Sequence, residues 1–181
     1  MFDITHRDRV LCNPTSLAKL QEIIEILALP DGARVLNIAC GKAELLVRLV
    51  ERYGCSAVGV DVSPYFIREA RERAAERASN AGIDFHEVDG AKYDGSPESF
   101  DAVMCLGASW IWEGDLGTLK ALARWARPGG QILVGEPFWR REPEEAYLQA
   151  EEVLRETFGT HFENVQTGIR LGLTPLCSIV S

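Results

Sequence analysis

At 181 residues and 20.0 kDa, with 46% apolar and 25% charged residues, the chain has the length and composition of one folded domain with a substantial core. A formal net charge of −8 and a pI near 5.0 repel phosphate backbones, and no Lys/Arg-rich run offsets them, which argues against nucleic acid as a partner. No stretch approaches the ~20 apolar residues of a membrane span, and five scattered cysteines without a C-x-x-C pair argue against a zinc site or disulfide scaffold and for a reducing cytoplasm.

In chain order, Asn13-Pro14-Thr15 opens a helix to about Ala28, with Leu17, Leu20, Ile23, Ile24 and Leu27 on one stripe. Pro30-Asp31-Gly32 breaks it, and residues 34–39 read as a buried strand. A helix is expected over 42–53, with Leu45, Leu46, Leu49 and Val50 on its apolar face, and Gly54 ends it. A second strand follows at 57–61. Ser63 is a good N-cap with Pro64 at the first helical position, so a third helix starts sharply and runs to Ala81, stopped by Gly82. Its pairs Arg68/Glu72 and Glu69/Arg73 lie four apart and read as a solvated face.

Residues 83–88 alternate as an edge strand does, 100–106 form a fourth strand, and 116–126 a helix. The turn Arg127-Pro128-Gly129-Gly130 leads into a fifth strand over 131–136. Residues 142–158 read as helix and 175–181 as the start of another strand. Alternating strands and helices predict an α/β domain: a doubly wound, mostly parallel sheet with helices on both faces.

Ligands of such sheets bind at the carboxyl ends of the strands. After the first strand comes the tight turn Ala39-Cys40-Gly41-Lys42-Ala43-Glu44, and about twenty residues further Asp61 can accept ribose hydroxyls. Asp89-Gly90 and Leu106-Gly107 follow the third and fourth strands. A pyrophosphate needs G-x-G-x-x-G so that backbone N–H groups can close on it, and this turn holds only Gly41. A nucleoside cofactor without phosphate, such as S-adenosylmethionine (SAM), fits that glycine count better than a dinucleotide.

The ordered set Val35-Leu36-Asn37-Ile38-Ala39-Cys40-Gly41, Val58-Gly59-Val60-Asp61-Val62-Ser63, Val88-Asp89-Gly90, Phe100-Asp101-Ala102-Val103-Met104-Cys105 and Arg127-Pro128-Gly129-Gly130 resembles the class I SAM-dependent methyltransferases over nearly the whole chain. The stretch 106–141, with Trp110-Ile111-Trp112 and Gly135-Glu136-Pro137-Phe138-Trp139, resembles a bacterial small-molecule subgroup. The resemblance implies a Rossmann-like sheet of order 3-2-1-4-5 followed by 7-6. It implies transfer of a methyl group from SAM to N, O or S of a small acceptor, leaving S-adenosylhomocysteine (SAH). Residues 175–181 would then be the sixth strand with no seventh after it, so the natural chain is expected to be longer than this single domain. The open edge would invite self-association into a homo-oligomer. Three positions depart from the pattern: Asn37 stands for Asp, Ala39 for Gly, and Lys42-Ala43 for a Thr/Ser-Gly type pair. They leave a non-catalytic SAM-binding scaffold or sensor as the alternative.

The resemblance assigns cofactor contacts to Asn37, Ala39, Cys40, Gly41, Asp61, Val62, Asp89, Gly90 and Leu106. Asp61 would hold the ribose and Asp89 the adenine amino group, against helix-approach and solvated-loop readings of the same acids. Trp110, Trp112 and Trp139 are candidate acceptor contacts, with sheet-end core packing as the competing reading. Glu136, at the end of the fifth strand, either orients and deprotonates an acceptor or holds a turn. His6 is a further lid or base candidate in the N-terminal segment. His86 and His161 read as exposed, and Arg140 and Arg141 either grip an acidic acceptor or are solvated.

Overall fold

A computed structural model of the chain describes residues 9–79 and 82–180. His6 lies outside them. Five parallel strands form one sheet: β1 (Arg34–Ile38), β2 (Ser56–Asp61), β3 (Ile83–Glu87), β4 (Phe100–Leu106) and β5 (Ala126–Gly135). Their order is β3-β2-β1-β4-β5, as expected. The switch point falls between β1 and β4, where Ile38 pairs with Cys105.

Alternate residues of each strand feed two cores, as a pleated strand buried on both faces requires. On one face, Val35, Ala57, Phe85, Ala102 and Met104 pack against α1 (Leu17–Leu27), α2 (Glu44–Tyr53) and α3 (Pro64–Arg77). On the other, Leu36, Ile38, Val58, Val60, Val103 and Cys105 meet Leu122 of α4 (Asp115–Ala123) and Trp125. Leu36, Ile38, Leu46, Leu49 and Met104 are fully buried, each contributing about 1.5–3 kcal/mol by leaving water. These layers hold the carboxyl ends of β1, β2 and β4 level with one another.

Boundaries shift where side chains, not periodicity, decide them. Ser16 caps α1 through Lys19 N–H, so the helix starts after Asn13; Asn13 makes a turn of its own with Thr15 N–H. Ser63 caps α3 as expected, but the helix closes at Arg77. The Arg127-Pro128-Gly129-Gly130 turn is a bulge within β5 rather than a lead-in. Ala126 pairs with Phe100 and Gln131 with Ala102, leaving four residues opposite Asp101. Asp101 pins that bulge, accepting from Arg34 N–H at 2.7 Å and pairing with Arg127 at 2.6 Å.

Three expectations fail after β5. The helix over 142–158 is broken into α5 (Glu145–Ala150) and a 3-10 turn at Arg155–Thr157. No helix was expected over 161–170, yet these residues form α6 (His161–Arg170), closed by a capping box between Thr160 and Glu163 and packed against α4. Residues 175–180 carry no strand, so no sixth strand follows among the described residues. Pro175 lacks a ladder donor, and Leu176 and Val180 are exposed, with no buried face to fix a register. No helix among the described residues is long and apolar enough to cross a membrane.

Candidate cofactor and acceptor site

The turn after β1 is wound unusually. Ala39, Gly41 and Ala43 all have left-handed backbones, with φ of 54°, 55° and 58°. That conformation costs a residue with a Cβ about 1–2 kcal/mol, so two of three glycine-type positions are held against local preference. The surroundings fix them: Cys40 N–H donates to Val60 at 2.9 Å, Ala43 N–H to Cys40 at 3.0 Å, and Val47 N–H to Ala43 at 2.9 Å.

Asp61 is the clasp between the first two turns. It is 8% exposed, and one carboxylate oxygen accepts from Gly41 N–H at 2.8 Å while the other accepts from Ser63 N–H at 2.9 Å. Burial pushes its pKa above the usual carboxylate value, against the pull of the Ser63, Gly41 and Val62 backbone N–H groups. A carboxylate has about four lone-pair sites, so beside these backbone N–H groups Asp61 keeps capacity to accept from a further hydroxyl donor. Beside it Val62 is 69% exposed, an apolar side chain open to solvent.

Other expected contacts divide by what they offer. Gly90 is required by packing, since a Cβ there would stand 2.5 Å from Ile38 Cγ2. Asp89 caps the 3-10 turn Gly90–Lys92 through Ala91 N–H at 3.0 Å. Asn37 is 4% exposed, and its Oδ1 has no hydrogen-bond partner among the described residues, so a donor brought by a ligand would satisfy it. Cys40 is buried, which raises the pKa of its thiol well above normal, and the thiol donates to the Gly41 carbonyl at 3.7 Å within the turn. Cys105 is likewise buried, its pKa pushed up to about 12. These thiols pack as small hydrophobes.

Cys12 and Asn13 cover the turns after β1 and β4, a contact with no signal in the sequence pattern. Cys12 Sγ lies 3.2 Å from where a Gly41 Cβ would be, and Asn13 Cβ stands 3.2 Å from that of Gly107. Asn13 also reaches the Leu106 carbonyl.

Behind the turn, α2 and α3 are tied by charge. Glu44, its side chain 2% exposed, takes Arg48 at 2.6 Å, Arg73 at 3.3 Å and Arg77 at 2.9 Å. Lys42 pairs with Glu69 at 2.8 Å, and Arg73 donates to the Lys42 carbonyl. Glu69 and Arg73, expected on a solvated face, therefore hold the turn instead, because α3 rolls that face onto α2.

The three tryptophans have different settings. Trp110 is 69% exposed in the 3-10 turn Ser109–Trp112. Trp112 packs on Trp125 beside the second core, ring centroids 6.3 Å apart. Trp139 donates its indole N–H to Arg155 at 2.9 Å and packs on Tyr147 and Phe158. Glu136 lies just past β5, next to Ser109 of the loop after β4. Burial raises its pKa, Ser109 lowers it and Asp115 raises it. The sequence reading passed over Ser109; only its place after a strand's carboxyl end marked it.

Among known proteins, a methyltransferase-domain family model matches residues 35–130. The chain belongs to the class I SAM-dependent methyltransferases. A SAM-dependent methyltransferase from Geobacter sulfurreducens, solved with SAH, is 33% identical with a TM-score of 0.88, covering 94% of this chain and 69% of that one. A second from Thiobacillus denitrificans, also solved with SAH, is 35% identical with a TM-score of 0.86, covering 94% and 69%. The YjhP protein of Escherichia coli K12 is 32% identical over 143 residues, 79% of this methyltransferase chain. The chain spans 57% of the length of YjhP.

Proposed function

We propose that this chain binds SAM across the carboxyl ends of β1 and β2 and transfers its methyl group to N, O or S of a small-molecule acceptor entering beside the loops after β4 and β5. The observation that carries the reading is the Asp61 clasp. A buried carboxylate reaches the Gly41 turn and the Ser63 turn at once, in a site lacking the glycines of a pyrophosphate cradle. The SAH-bound relatives support the same cofactor.

When bound, SAM supplies a methyl group already activated by positive sulfur, so the chain contributes alignment and exclusion of water. Asp61 holds the ribose, while Val62, Asp89 and Gly90 border the adenine. Asn37 offers its unpaired oxygen, and the backbone of Ala39, Cys40, Gly41 and Leu106 lines the methionyl side. Trp110 presents its exposed face to the acceptor, Trp112 and Trp139 offer it further aromatic surface, and Glu136 removes its proton. A SAM-binding sensor without turnover is the second reading, favoured by the alanines at two left-handed positions.

Calorimetric titration of SAM and SAH into wild type and Asp61→Ala tests the cofactor site. A charged hydrogen bond of this kind is worth about 1.5–3 kcal/mol, so the variant should bind about ten- to a hundredfold more weakly. Equal affinity in a folded variant refutes the site. SAM binding with no SAH formed from it, whatever acceptor is supplied, would favour the sensor.

A further inference from the structure

Glu136 Oε2 is fully enclosed yet has no hydrogen-bond partner among the described residues. A buried carboxylate oxygen left unpaired is costly, and native structures keep such an atom where a ligand supplies the donor. The residue is rigidly placed. Gly107 N–H donates to Gly135 at 2.9 Å, locking the end of β4 to the residue before Glu136. Ser109, 7% exposed, acts on the carboxyl through its hydroxyl, and its own backbone is fixed. Its carbonyl accepts from Gly114 N–H at 3.0 Å and from the buried Thr118 hydroxyl at 3.3 Å. The neighbouring charge is negative, from Asp115, so the field favours a cation and opposes an anionic acceptor. Trp110, one residue from Ser109, adds an exposed aromatic face of the kind that attracts ammonium groups.

We propose that the acceptor is an amine carrying at least one N–H, bound as its ammonium ion by the unpaired oxygen of Glu136. This rests on the SAM reading above and names the acceptor class for the same site. The ammonium gives one proton to the carboxylate, which frees the nitrogen lone pair. That pair forms the new N–CH3 bond, the electron pair of the broken C–S bond stays on sulfur, and neutral SAH results. The proton on Glu136 then passes to solvent.

The test titrates small primary and secondary amines, each beside the alcohol and the carboxylic acid of the same skeleton, into the complex with SAH. Wild type and Glu136→Gln are compared, the glutamine keeping shape and losing charge. Amines should bind wild type in preference to their isosteres and lose about tenfold or more in Glu136→Gln, while SAH binds both equally. With SAM in place of SAH, mass spectrometry should find the methyl group on nitrogen. Preference for alcohols or acids, no binding by any amine, or amine affinity unchanged by Glu136→Gln each overturns the proposal while leaving the cofactor site standing. Failure of SAH itself to bind wild type overturns both.

Discussion

Replacing Ala39 with glycine should stabilise this protein, against the usual trend for Ala→Gly. The left-handed backbone at Ala39 (φ 54°) costs about 1–2 kcal/mol that glycine does not incur. Glycine adds about 0.4–1 kcal/mol of unfolded-chain entropy in return, leaving a net gain of about 0.5–1 kcal/mol. For a chain of this size that raises Tm by about 1–4 °C. Ala43→Gly is the internal control. Its φ of 58° offers the same relief, but its methyl is fully buried, and deleting it costs about 0.8 kcal/mol. The two variants should therefore separate in urea unfolding, Ala39→Gly above wild type and Ala43→Gly near it. Because glycine adopts this left-handed turn without strain, Ala39→Gly should also bind SAH at least as tightly. If Ala39→Gly unfolds at lower urea than wild type, the strain assigned to this turn is wrong.

Glu44→Ala should lower stability by about 2–3 kcal/mol in urea unfolding, less than the 3–5 of a fully buried pair because its arginines keep some access to water. An effect below 1 kcal/mol would show that the cluster is solvated in solution. Gly90→Ala should cost about 1–3 kcal/mol by forcing Ile38 aside, and a neutral result would mean that the strand end yields easily. The Glu136 carboxyl binds its proton more tightly in the fold than in the unfolded chain, so its share of stability is full below the unfolded value and lost as pH rises through the folded one. Glu136→Gln should remove that decline in a urea series above the usual carboxylate range. Parallel curves for the two proteins would contradict the burial of this group.

The sheet was legible because each strand is short, apolar and bounded by a turn with a mechanism, as at Pro30-Asp31-Gly32 and Ser63-Pro64. The places of Gly41 and Asp61 at the carboxyl ends of β1 and β2 were legible for a related reason: a turn glycine and an acid after a strand both leave a mark on local sequence. What lay beyond reach depended on contacts between distant segments. Glu69 and Arg73 satisfy the rule for a solvated pair, and only the docking of α3 on α2 shows that they serve Lys42 and Glu44. Cys12 over Gly41 obeys no periodicity at all. The missed helix α6 is different, since Thr160 and Glu163 do spell a capping box before Val165 and Ile169. There the signal was present, but two glycines within ten residues obscured it.

The ion pairs joining α2 to α3 have a consequence for how such a protein diversifies. Because Glu44, Arg73 and Arg77 weld the helix behind Gly41 to the helix behind Asp61, the two turns shift as a unit or not at all. The loops after β4 and β5 stand outside that weld. An exchange in either loop therefore leaves the turns at Gly41 and Asp61 held as they are, whatever it does to the loop itself.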